Sequence, residues 1–139
     1  MKNILHLEPS EIEVKAKEIR KNIIRMNTHA GQGHTGADLS ETDILASMIL
    51  RLLKIDLNNP WDAENRDRFI LSKGHGVGGL YCTLAEAGFI DKQQLDTYLQ
   101  FDSQLPGHPV KQKNRFIELN TGALGHGLSV ATGLALSAK

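Results

Sequence analysis

Arg66-Asp67-Arg68-Phe69-Ile70-Leu71-Ser72-Lys73-Gly74-His75-Gly76 is the stretch on which the reading of this chain turns. Its apolar centre, Phe69-Ile70-Leu71, lies between charged residues and Ser72-Lys73, which predicts a short buried strand over 66–72. That strand runs straight into the glycine turn. Leu80, Leu84 and Ala87 then fall at helical spacing and predict a helix stopped at Gly88. Strand, glycine turn and helix in this order aim backbone N–H groups and a helix N-terminus at an anion. Such turns also occur with nothing bound, so the layout suggests a polar ligand without naming one.

Working outward toward the N-terminus, Ser10 and Glu13 have the spacing of a capping box and predict a first helix. Ile12, Ala16, Ile19, Ile23 and Met26 form its single apolar stripe, which ends at Gly31-Gln32-Gly33-His34-Thr35-Gly36. A second helix is expected from Ser40, with Asp43 as the capping acid and Ile44, Leu45, Met48, Ile49, Leu52 and Leu53 along it; Asn58-Asn59-Pro60 breaks it. Toward the C-terminus, Asp91 with Gln94 predicts a helix through Leu95, Tyr98 and Leu99. The loop Leu105-Pro106-Gly107-His108-Pro109 holds its histidine between two prolines, a stiff and extended frame. Thr121-Gly122-Ala123-Leu124-Gly125-His126-Gly127 enters a last helix of small residues from Ser129 to Ala138. Nothing caps or breaks that helix before Lys139, so the chain is expected to be part of a longer domain.

Composition excludes several classes. Sixteen basic residues balance sixteen acidic ones in 139, so no general field draws the chain to nucleic acid or a membrane surface. Lys111-Gln112-Lys113-Asn114-Arg115 reads as a solvated loop. The single cysteine, Cys82, forbids an internal disulfide, and its apolar setting reads as a small buried hydrophobe rather than a nucleophile. No apolar run has membrane-spanning length and the first seven residues do not make a signal peptide, so a cytoplasmic location is expected.

Four of the six histidines directly follow glycine: Gly33-His34, Gly74-His75, Gly107-His108 and Gly125-His126. Chance placement gives roughly half of one such pair, so the excess asks for a shared cause. Glycine permits close backbone approach, and imidazole brings a donor, an acceptor or a proton. A zinc site lacks the required short spacings of His and Cys. A serine hydrolase lacks its elbow, since Ala131 stands where Gly127-Leu128-Ser129 would need a second glycine. Spatial convergence could still build a three-His site, and a third possibility is a phosphorylated ligand with hydroxyls at its reacting carbon, met by imidazoles and glycine-rich backbone.

The strings Gly31-Gln32-Gly33-His34-Thr35-Gly36, Arg66 to His75, Gly107-His108-Pro109 and Thr121 to Ser129 resemble transketolases in order and spacing. The resemblance covers about Glu11 to Lys139. It is nearest to the short amino-terminal subunits of split transketolases, in which Gly-Ala-Leu-Gly-His-Gly is common; single-chain enzymes usually carry Gln at the position of His126. The Arg66–Ser72 string and the Gly-His-Pro loop fit transketolase better than 1-deoxyxylulose-phosphate synthase.

The resemblance implies an α/β thiamine diphosphate-binding fold, a mostly parallel sheet flanked by helices, of which residues 1–139 form the amino-terminal part of the diphosphate-binding domain. It implies transfer of a two-carbon ketol unit from a ketose phosphate to an aldose, with thiamine diphosphate and Mg2+ or another divalent cation whose ligands lie beyond Lys139. His34, His75 and His108 are then the expected catalytic residues. His34 faces the donor hydroxyl beside the breaking bond, His75 lies by the cofactor diphosphate and the substrate, and His108 holds the hydroxyl on the donor's first carbon. His75, Gly122, Leu124 and His126 are expected to contact the cofactor, with the role of His126 left open. Thr35 replaces the family's usual proline. The expected partner is a C-terminal subunit carrying the pyrimidine-binding domain, in a homo- or heterodimer or tetramer. The competing expectation is a non-catalytic assembly or regulatory module.

Overall fold

A computed structural model describes residues 5–56, 59 and 65–139. Helix α1 spans Pro9–Ala30 and buries the expected stripe, Ile12, Ala16, Ile19, Ile23 and Met26. It starts earlier than the Ser10–Glu13 pattern predicts. Proline suits the first helical position because its missing N–H has no partner there anyway, so Pro9 leads the helix. The capping residue is Glu8, whose backbone N–H donates to Glu11 Oε2 at 2.8 Å. Gly31, at φ +67°, closes the helix in the left-handed region that glycine enters freely.

The expected second helix is in fact jointed. Helix α2, Thr35–Ser40, and helix α3, Thr42–Ser47, meet at Glu41, and α3 continues as a wider π-turn over Met48–Leu52. Leu45, Ile49, Leu50 and Leu53 are buried, whereas Ile44 and Leu52 are exposed. The widening shifts the apolar face by part of a turn, which a uniform helical period does not anticipate. The helix ends at Leu52, ahead of the Asn58-Asn59-Pro60 breaker, of which only Asn59 is among the described residues.

Helix α4, Val77–Glu86, is entered through a 3-10 turn at Gly74–Gly76 and is buried on all faces from Val77 to Ala85. It is the axis of the molecule: α1, α2, α3 and the 3-10 turn Lys92–Thr97 all pack on it. A helix apolar all round has to be central, and Leu80, Tyr81 and Leu84 fill the middle of the core. Gly88, at φ +84°, ends it as expected. Where Asp91 and Gln94 predict an α-helix, the chain forms that 3-10 turn, capped by Asp91 Oδ1 accepting from Gln93 N at 2.9 Å. Cys82 is a free, fully buried thiol beside Met26, and burial pushes its ionisation well above the ordinary thiol range.

The expected strand at 66–72 is not formed. The segment is extended and half-buried, but no strand occurs among the described residues, which are all helix, turn or loop. A strand needs a neighbour to complete its ladder, and none is supplied here. Instead the segment is pinned by isolated bonds: Asp67 N to the Lys54 carbonyl at 3.0 Å, Lys54 N to Asp67 Oδ2 at 2.8 Å, and Thr121 Oγ1 to the Leu71 carbonyl at 2.7 Å. Glu118, with its side chain buried, pairs with Arg66 and lies 3.7 Å from Arg68. Helix α5, His126–Ser137, is mostly exposed, with Gly127 its single buried residue. No helix among the described residues is long and apolar enough to cross a membrane.

Candidate active site

Three of the four Gly-His turns meet above the N-terminal end of α4. The ring of His34 lies edge-on to His75, with centroids 5.4 Å apart, and edge-on to His108, at 5.8 Å. His34 and His108 are exposed and His75 is half-buried, so the cluster opens to solvent. Gly122 adjoins it, since a Cβ there would lie 3.3 Å from His108 Cδ2. Gly122, Ala123, Leu124 and Gly125 form an exposed run of backbone beside the imidazoles. His126, at the start of α5, is exposed and makes no ring contact with the other three.

Each turn is fixed by identifiable packing. The His34 turn folds back on α1: a Cβ at Gly33 would come 2.5 Å from the Asn27 carboxamide. Asn27 Nδ2 donates to Thr35 Oγ1 and to Asp38 Oδ2, both at 3.0 Å. Thr35 is therefore tethered by hydrogen bonding where a proline would be stiffened by its ring. Asp38 is fully buried and its Oδ1 accepts the Gly79 N–H at 3.0 Å, tying α2 to the first turn of α4. The His75 turn is locked to the chain after 120, because a Cβ at Gly74 would sit 2.6 Å from the Thr121 carbonyl. Gly127 rests on Ser72 in the same way. The His108 loop hangs from α4 through Tyr81, whose hydroxyl donates to the Pro106 carbonyl at 3.1 Å.

The α4 N-terminus differs from the expectation of a free anion site. The Asp38 carboxylate already occupies one of its N–H groups, and Glu41 packs against Gly76 and Gly79 from the same side. The protein's own acids thus take part of the positive end of this helix. Burial, reinforced by the nearby Asp38 charge, raises the Glu41 carboxyl to about 7 despite its pairing with Lys73.

Asn27, Asp38, Glu41 and Lys73 did not emerge from the sequence pattern. A signal for one of them exists: Asp38, Thr42, Leu45 and Ile49 share one buried face, so acid on an apolar stripe marked the spot. Among the described residues no group of three or more His, Cys, Asp and Glu side chains could hold a metal ion. The exposed backbone and imidazoles fit an organic ligand.

The chain is similar to known proteins in sequence and in fold. The profile described as "Transketolase, thiamine diphosphate binding domain" matches residues 13–139. One of the subunits of the apulose-4-phosphate transketolase of Actinobacillus succinogenes is 55% identical over 140 residues, covering 99% of this chain and 50% of that protein. A 6-deoxy-6-sulfo-D-fructose transketolase subunit from a Clostridium species is 40% identical over 129 residues, covering 93% of this chain and 46% of its own length. The chain therefore spans about half the length of these relatives. Among solved structures, transketolase from Leishmania mexicana superposes with a TM-score of 0.83 at 32% identity, over 91% of this chain and 19% of that one. The helical unit described here thus has the fold of the transketolase N-terminal region, and the chain belongs to the transketolase family, matching its thiamine diphosphate-binding domain.

Proposed function

We propose that this chain is the amino-terminal portion of a transketolase subunit that moves a two-carbon ketol unit from a ketose phosphate to an aldose. The observation that carries the reading is the meeting of His34, His75 and His108 from three separate turns. In this reading His34 takes and returns the proton of the donor hydroxyl beside the bond that breaks. His108 holds the hydroxyl on the donor's first carbon, and His75 lies between substrate and cofactor. Positioned imidazoles of this kind contribute acid–base catalysis and orientation. The exposed backbone of Gly122 and Leu124, with His75 and His126, holds the thiamine diphosphate, which when bound supplies the nucleophilic carbon and the electron sink.

The divalent cation takes its ligands from outside these residues, and a C-terminal subunit supplies the pyrimidine-binding half. The names of the two relatives, one of which acts on apulose 4-phosphate and the other on a 6-sulfo ketose, favour a branched or modified ketose of the apulose 4-phosphate type over an ordinary hexose phosphate. The test is the complete protein, assembled with its partner and assayed for ketol transfer from apulose 4-phosphate and from fructose 6-phosphate. Faster transfer from the first supports the proposal. An assembly that forms but transfers from neither supports the non-catalytic module.

A further inference from the structure

One lysine ties the turn that carries His75 to helix α2, which starts directly after His34. Lys73 immediately precedes Gly74-His75, and its Nζ crosses to the C-terminal part of α2 and the joint at Glu41. There it donates to the Ala37 carbonyl at 2.9 Å and Ser40 Oγ at 3.0 Å, and pairs with Glu41 Oε2 at 3.1 Å. Glu41 is 7% exposed and sits at the joint between α2 and α3. Its carboxyl presses on the entry to α4, where a Cβ at Gly76 would collide with Oε1. Glu41 Oε1 is buried with no hydrogen-bond partner. A half-satisfied buried carboxyl is unfavourable, and packing alone would be served by an apolar residue. What the acid adds is its hold on Lys73.

We propose that Glu41 is a positioning residue: its carboxylate draws Lys73 across and thereby sets the spacing of the His34 and His75 imidazoles. This deepens the transketolase reading and rests on it for the use made of those rings. The charged groups facing Glu41 are Lys73, from the turn before α4, and Asp38, from α2; His34 and His75 stand on the turns it connects. Burial is the largest influence and lifts the carboxyl from 4.5 to about 7. A carboxyl raised in the fold stabilises most while protonated, and that stability is lost as pH rises through about 7. The ionised pair that orders the two turns is therefore the less stable state. An ordinary structural ion pair has the opposite sign.

The experiment compares Glu41→Gln with wild type in the protein assembled with its partner, by amide hydrogen exchange, thermal melting and steady-state kinetics. At pH 8 the variant is expected to exchange faster over 33–42 and 72–79, reaching the level wild type shows at pH 6 after correction for intrinsic rates. Its melting temperature is expected to hold or rise while kcat falls on the order of tenfold with little change in KM. Lys73→Met, made from the half-exposed end of the pair, is expected to loosen the same segments and decides the matter should Glu41→Gln fail to fold. Unmoved exchange at both turns overturns the proposal, as does a lowered melting temperature with kcat retained. Wild type without ketol transfer but with the exchange response defeats the transketolase reading and leaves the positioning claim standing. An active assembly with no response does the reverse.

Discussion

Glu86 shows at the residue scale how this small core tolerates charge. Its side chain is 3% exposed at the end of α4, with Lys15 of α1 at 2.6 Å and Lys92 of the following 3-10 turn at 2.5 Å. Burial alone would raise this carboxyl, but hydrogen bonds and charge from the two lysines prevail and hold it below the ordinary carboxylate range. A group lowered in the fold contributes stability that is complete above its unfolded value of 4.5 and is lost as pH falls through its folded value. Glu86→Gln is expected to cost about 1–3 kcal/mol at pH 7, less than a fully buried pair because both lysines reach solvent. Urea unfolding at pH 7 and pH 3 checks this, with the difference from wild type shrinking at the lower pH. His108 belongs to the same scale. If it holds a donor hydroxyl more firmly as charge develops, His108→Ala in the assembled enzyme lowers kcat about 10²-fold and leaves cofactor affinity nearly unchanged. Normal turnover with failed cofactor uptake would move it to the cofactor side.

At the scale of elements, the helices with an apolar stripe were legible and the segments defined by long-range partners were not. The α1 stripe and the Gly88 stop depend on local spacing, and both stand where the pattern put them. The 66–72 segment has a strand's composition, yet pairing is a property of two segments, and no partner strand occurs among the described residues. The imidazole cluster was foreshadowed by its glycines, whereas the Asn27–Asp38–Glu41–Lys73 supports were hidden in segments read for apolar period and glycine turns alone. Helix α5 extends this point. Its small residues suggest close packing, but a side chain at Gly133 would meet nothing within 4 Å, and Leu128, Leu136 and the preceding Leu124 are all exposed. We place the missing neighbour in the rest of the assembly. Gly133→Leu is then expected to break the oligomer by overpacking, while Lys17→Ala, at an exposed site on α1, leaves it intact. Light scattering decides this, and an intact, active assembly with leucine at 133 refutes the packing.

For the molecule as a whole, α4 is the organising element. It is buried on every face, and the three turns that meet at its N-terminal end bring the imidazoles together. Among the described residues no group of three or more His, Cys, Asp and Glu side chains could hold a metal ion. With cation ligands placed outside it, the 139-residue chain alone is expected to show weak thiamine diphosphate binding by calorimetry, and tight magnesium-dependent binding would show that placement wrong. Ketol transfer is measured most directly by following carbon. A ketose phosphate labelled with carbon-13 at its first two carbons is incubated with an aldose and the assembled protein, thiamine diphosphate and magnesium, and products are read by mass spectrometry. The account predicts that both labelled carbons appear together in a ketose two carbons longer than the aldose, and that His34→Ala slows their appearance about 10²-fold. An assembly that forms and binds the cofactor, yet moves no labelled pair from any ketose phosphate, contradicts it.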